Sequence, residues 1–104
     1  MTRDAIFVDV LTESVAMTLM VHGAPEVVVG KQRFRPGKLT LSVYPGEEHA
    51  YVGAESTISG AGHGWIIGGR HDESAGCPDW LLAIARTEIP RVRKFCERPA
   101  VAAC

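Results

Sequence analysis

Two Pro-Gly pairs, Pro36-Gly37 and Pro45-Gly46, bracket the run Leu39-Thr40-Leu41-Ser42-Val43-Tyr44. Within it Leu39, Leu41 and Val43 fall on one side, and Thr40, Ser42 and Tyr44 on the other. That two-residue period is the pattern of a half-buried strand. Proline pre-sets the first central position of a type II turn, and glycine supplies the positive φ of the second. A strand closed by such a turn at each end has to meet antiparallel neighbours, so the pattern predicts a β-meander.

The flanking segments extend the sheet. Residues 6–11 and 15–21 are strand candidates joined through Thr12-Glu13-Ser14, the second with Val15, Met17, Leu19 and Val21 on one face. His22-Gly23-Ala24-Pro25 breaks it. Glu26-Val27-Val28-Val29 and Gln32-Arg33-Phe34-Arg35 flank Gly30, which is either a tight turn or a bulge in one longer strand. Residues 49–58 read as the return strand after Pro45-Gly46, loosened by Gly53. The glycines at 60, 62 and 64 read as a turn into the short strand Trp65-Ile66-Ile67.

From Trp80 the period changes. Leu81, Ile84, Ala85, Ile89, Val92, Phe95 and Cys96 form a one-sided helical stripe, with Pro78 and Asp79 suited to its start. Pro90 falls inside it and predicts a kink, or a break near Thr87-Glu88; the stripe stays in phase across Pro90, which favours the kink. The fold class expected is α+β, an antiparallel meander of five to six strands with one C-terminal helix packed on one face. The whole of 1–104 reads as a single domain, with 98–104 a frayed tail.

Composition narrows the function classes. The apolar runs are far shorter than the roughly 20 residues a bilayer span needs, and Asp4 and Asp9 interrupt the apolar core of a signal peptide. No membrane association and a cytoplasmic location are therefore expected. The three cysteines, Cys77, Cys96 and Cys104, follow no disulfide spacing. Residues 1–80 carry ten acids and six bases, a balance of −4, whereas residues 81–104 carry two acids and five bases, a balance of +3. Eight arginines against three lysines, with no asparagine, point to a GC-rich coding sequence.

The richest stretch for chemistry is GAGHGWIIGGRHDESAGC, residues 60–77. Its G-x-G-x-G lacks the third glycine and the strand-to-helix context of a dinucleotide loop. His63, His71 and Cys77 are the metal-ligand candidates, although no close ligand pair is present. Cys96 does not join them, because a straight helix would hold it roughly 28 Å from Cys77. Cys77 at a helix start, with His71 as base, would make a nucleophile only if a third group oriented the pair. No catalytic residue and no cofactor are expected. Arg86, Arg91, Arg93, Lys94 and Arg98 make the helix basic, a candidate surface for nucleic acid or an acidic partner. The second face of the sheet, with Phe7, Leu11, Met20, Thr40, Ser42 and Tyr44, and an exposed sheet edge are candidate protein-binding surfaces.

The segment Gln32-Arg33-Phe34-Arg35-Pro36-Gly37-Lys38-Leu39-Thr40-Leu41-Ser42-Val43-Tyr44-Pro45-Gly46 resembles small uncharacterised proteins of actinobacterial phages. So does the later order of a Gly-rich loop, a Trp-led strand and Pro-Asp-Trp-Leu-Leu opening a helix. The resemblance covers roughly residues 26–85, and it rests on turns and alternation rather than on chemical motifs. It implies a non-enzymatic accessory protein of host takeover, toxicity or defence, acting in the host cytoplasm by binding a host protein. A homodimer through a sheet edge is a further expectation. The alternatives are a nucleic-acid-binding module using the basic helix, and a small metal- or thiol-dependent enzyme centred on residues 60–77.

Overall fold

A computed structural model of the chain describes residues 1–10 and 14–96. The expectations for Leu11, for the connection at Thr12 and Glu13, for Arg98 and for the tail 98–104 lie outside the described residues. The architecture is α+β. Strands β1 (Thr2–Val10), β2 (Val15–His22), β3 (Val27–Val29), β4 (Gln32–Phe34), β5 (Lys38–Val43), β6 (Ala50–Glu55) and β7 (Gly62–Ile67) precede a 3₁₀ turn at Ser74–Gly76 and helix α1 (Asp79–Cys96). Five strands form one antiparallel sheet in the order β1-β2-β5-β6-β7, and β3 and β4 form a separate hairpin.

Register assigns the faces. Met17 lies opposite Leu41, Leu41 opposite Val52 and Val52 opposite Trp65. Val15, Val43 and Ala50 form a parallel row, as do Leu19, Leu39 and Ala54. These side chains are buried, and α1 packs over β5 and β2. From the helix come Leu81, Ile84, Ala85 and Val92, all on the predicted stripe. Ala24, Val27 and Phe34 of the hairpin region join the same core.

The two Pro-Gly pairs turn out to be unlike. At the second, Gly46 has φ 79° and the Glu47 N–H donates to the Tyr44 carbonyl at 3.0 Å, as a type II turn requires. At the first, Gly37 has no positive φ, so the expected type II turn is absent. Gly37 instead enters the sheet: its N–H donates to the Glu55 carbonyl, and its own carbonyl accepts from Val21. A Cβ there would come within 2.7 Å of the Thr57 hydroxyl oxygen, so this glycine serves close approach rather than turning. Gly30 is a turn and not a bulge, since β3 and β4 pair directly on either side of Gly30-Lys31 and Gly30 has φ 60°. The hairpin is thus inserted between β2 and β5, which pair with each other.

Two further boundaries moved. Gly62 and Gly64 lie within β7 rather than in the turn before it; only Gly60, with φ 77°, belongs to the turn. Helix α1 runs unbroken through Pro90. Pro90 and Arg86 are both exposed, so the carbonyl that loses its helical donor lies on the solvent side, where water replaces the bond. Among the described residues no helix is long and apolar enough to cross a membrane.

Leu41 is fully buried in the central strand, between Met17 and Val52 and beneath the helix. Leu41→Ala should cost about 2–5 kcal/mol, because the two flanking strands hold the cavity open. Urea denaturation should show a lower midpoint with an unchanged slope.

Candidate functional site

Residues 60–77 form the last edge of the sheet and the loop that carries the chain to the helix. Strand β7 pairs with β6 on one side only. Its outward groups follow from the hydrogen bonds of Ile66, which does not exchange bonds with Tyr51 opposite it. The Ile66 N–H donates to Glu73 Oε1 at 2.9 Å, and its carbonyl accepts from the Glu73 N–H at 2.6 Å. Antiparallel pairs alternate between bonded and non-bonded, so Gly64 and Gly62 present their N–H and C=O outward as Ile66 does. Gly68, next in that series, donates to Asp72 Oδ1 at 2.8 Å.

The loop therefore closes one end of the β7 edge. Asp72 also accepts from the Ser74 N–H at 3.1 Å and from its hydroxyl at 2.7 Å. Its carboxyl is held below the usual aspartate range, chiefly by the Gly68 N–H, then by the Ser74 hydroxyl and N–H, with the charge of Arg86 adding. At the other end the Ala61 carbonyl accepts from the Ser56 N–H, a bond on the β6 side of β7 in phase with His63 and Trp65. Beyond Ile66, among the described residues, the outward backbone groups of Gly62 and Gly64 have no partner.

Gly64 also clears the face beside that edge. The Tyr51 ring lies along the outer face of the sheet. A Cβ on Gly64 would run into its hydroxyl, and one on Gly53 would come within 3.2 Å of the ring. Tyr51 thus fills the space that two missing side chains leave, an aromatic over cross-strand glycine. Gly53, expected to loosen its strand, is instead roofed by this ring. The outer face carries Ala16, Thr18, Met20, Thr40, Ser42 and Ile66, together with the Lys38–Glu55 ion pair at 2.6 Å. No helix covers it among the described residues. Tyr44 is not part of it: it lies past the end of β5 and stacks on His49, with ring centroids 5.1 Å apart.

The sequence candidates separate in space. His63 is exposed and meets Trp65 edge-on at 4.8 Å. His71 lies in the exposed loop, where it lines a shallow cleft of about 380 Å³ with His49, Glu47, Glu48 and Arg70. Cys77 is buried below the helix start, and burial, with the Asp79 charge adding, pushes its thiol up to about 11. A thiol so placed is protonated at neutral pH and is a poor nucleophile. Among the described residues no three His, Cys, Asp or Glu side chains converge on a point that would hold a metal ion.

The basic helix also divides. Arg93 is spent inside the molecule, donating to the carbonyls of Glu47, Glu48 and His49 at 3.0–3.2 Å and tying their loop to α1. Arg91 meets Glu88. Arg86 and Lys94 are exposed. Sequence reasoning missed His49, Tyr51, Glu73 and Glu88. Of these only Glu88 left a signal, sitting in phase with Leu81, Ala85 and Val92 on the buried stripe.

The Asp72 cluster sets a pH dependence. Its carboxyl is depressed in the folded state, so its contribution is fully present above the ordinary value of 3.8 and is lost as pH falls through the lower folded value. Asp72→Asn should therefore be less stable than the parent at neutral pH, and the gap should narrow in melts below pH 3.8. Comparison of the chain with protein-family models, with curated proteins and with solved structures finds no match.

Proposed function

We propose that this chain is a non-enzymatic binding protein, of the phage accessory kind its turn pattern resembles, and that it takes an extended segment of a host protein as an added strand on the β7 edge. The observation that carries the reading is the pair of outward-facing glycines, Gly62 and Gly64, next to the end that Asp72 and Glu73 close. Edge strands are ordinarily blunted by charge, proline or a covering loop. Here Asp72 and Glu73 do this at Gly68 and Ile66, and the same device stops short of the two glycines. Main-chain pairing at such an edge gives affinity, while alternate side chains of the added strand meet the surface on either side. On this sheet they would meet Tyr51 and Ile66 on one face, and His63 and Trp65 on the other.

The window is short, and that favours a peptide-like partner segment over a second copy. Two β7 edges brought together would bury only their few residues and set the two Glu73 loops near the junction. A stable homodimer needs an interface of well over 1,000 Å² in total. A nucleic-acid role for the helix has less support, since Arg93 is engaged within the molecule.

Gly64→Pro removes the outward N–H without touching a bond to β6, provided Tyr51 is shortened to make room. Tagged Tyr51→Ala and Tyr51→Ala/Gly64→Pro proteins should be compared in affinity capture from an actinobacterial lysate. The single variant should retain one stoichiometric protein partner and the double variant should lose it, with both giving the same circular dichroism spectrum. Equal capture by the two, or loss only on charge reversal of Arg86 and Lys94, would remove the edge from the account.

A further inference from the structure

At the opposite edge of the sheet, Glu88 is the one charged residue among the described residues that is buried, at 4% exposure. It projects from α1 toward β1, and two arginines reach the same oxygen: Arg3 Nη2 at 3.5 Å and Arg91 Nη1 at 3.4 Å. A cleft of about 490 Å³ opens there, lined by Thr2, Arg3, Leu19, Glu88 and Arg91.

The arrangement exceeds what a structural ion pair needs. One buried carboxylate requires one cation, and a second leaves a surplus positive charge at the mouth of the cleft. Both contacts are longer than the roughly 2.7–2.9 Å of a strong charge-assisted hydrogen bond. Each guanidinium carries five N–H donors, and the contact with Glu88 engages one nitrogen of each. Because both nitrogens lie near a single oxygen, they are at most about 7 Å apart, a span that one tetrahedral oxyanion bridges.

We infer that Arg3 and Arg91, gathered by Glu88 at the cleft between β1 and α1, form a binding site for a small phosphate group, either inorganic phosphate or a phosphate monoester. Glu88 positions the two guanidiniums and is not itself a ligand. Thr2 lines the same cleft, and Leu19 supplies its apolar floor. Arginine suits this task because its planar fork offers paired donors to an oxyanion. The site is independent of the β7 edge, since β1 and β7 are the two outer strands of the sheet.

The test is a titration of the full chain with inorganic phosphate at constant ionic strength, followed by the side-chain NMR signals of the arginines and the methyl signals of Leu19. A parallel titration with glycerol phosphate separates the two sources: tighter binding of the ester means that the cleft also holds the organic portion, and equal binding means that free phosphate suffices. Saturable shifts at Arg3, Arg91 and Leu19 are expected, with no response to matched chloride. Arg91→Ala should weaken binding roughly tenfold or more, and Lys31→Ala, in the β3–β4 turn and outside the cleft lining, should leave it unchanged. Arg3→Ala should act like Arg91→Ala, with thermal melts confirming that both variants are folded. Shifts that rise linearly without saturation, or binding by folded Arg3→Ala and Arg91→Ala equal to that of the parent, would overturn the assignment.

Discussion

The contact of one helix with the inner faces of β2 and β5 holds this fold together. Leu81, Ile84, Ala85 and Val92 close over Val15, Met17 and Leu19 and over Leu39, Leu41 and Val43, and all ten side chains are at most 6% exposed. Burial of apolar surface on this scale is the main favourable term in a domain of this size. The remaining elements adjust to that contact. The hairpin β3–β4 leaves the sheet so that β2 and β5 can pair beneath the helix, and Gly37 brings the chain back at a point too tight for a side chain.

A single helix covers a single face, and this sets what is left for binding. The outer face is kept flat by small residues and by Tyr51 lying over Gly53 and Gly64. The two outer strands are then handled differently. On β1 the register places Arg3, Asp4 and Asp9, charged side chains of the kind that discourage strand pairing. On β7 a loop closes Ile66 and Gly68 and leaves Gly62 and Gly64 open. The charged groups of α1 serve the same economy of form: Arg93 fastens the β5–β6 loop, while Glu88 gathers Arg3 and Arg91 against the first strand.

The alternating strand Leu39–Val43, the strand from Val15 and the helix from Asp79 were all legible in the sequence, because each is set by a hydrophobic period that the tertiary fold then uses. The Pro36-Gly37 pair misled, since proline and glycine mark a turn only when local chemistry decides, and here a cross-strand contact with Thr57 decides. Gly62 and Gly64 misled for a related reason. Three alternating glycines look like a flexible turn, yet two of them lie in a strand, where Tyr51 of the next strand takes the side-chain space of Gly64 and the Ala54–Glu55 backbone and Glu55 Cβ crowd that of Gly62. Pro90 threatened the helix only if its lost bond faced inward, and the sequence does not say which way the bond faces. Histidines 63 and 71 lie close along the chain, but one lies on a strand and the other in a loop beyond it, so nearness in sequence did not become a shared site. The edge stoppers Asp72 and Glu73 were invisible because side-chain-to-backbone bonds across a loop have no period.

Amide hydrogen exchange on the free protein, resolved residue by residue along β7, bears most directly on the claim that its edge is open. The pairing requires His63 and Trp65 to be protected by β6 and Ile66 by Glu73, while Gly62 and Gly64 exchange at rates near those of an unstructured chain. Protection of Gly62 and Gly64 equal to that of His63 and Trp65 would mean that the edge is already occupied, and would contradict the account.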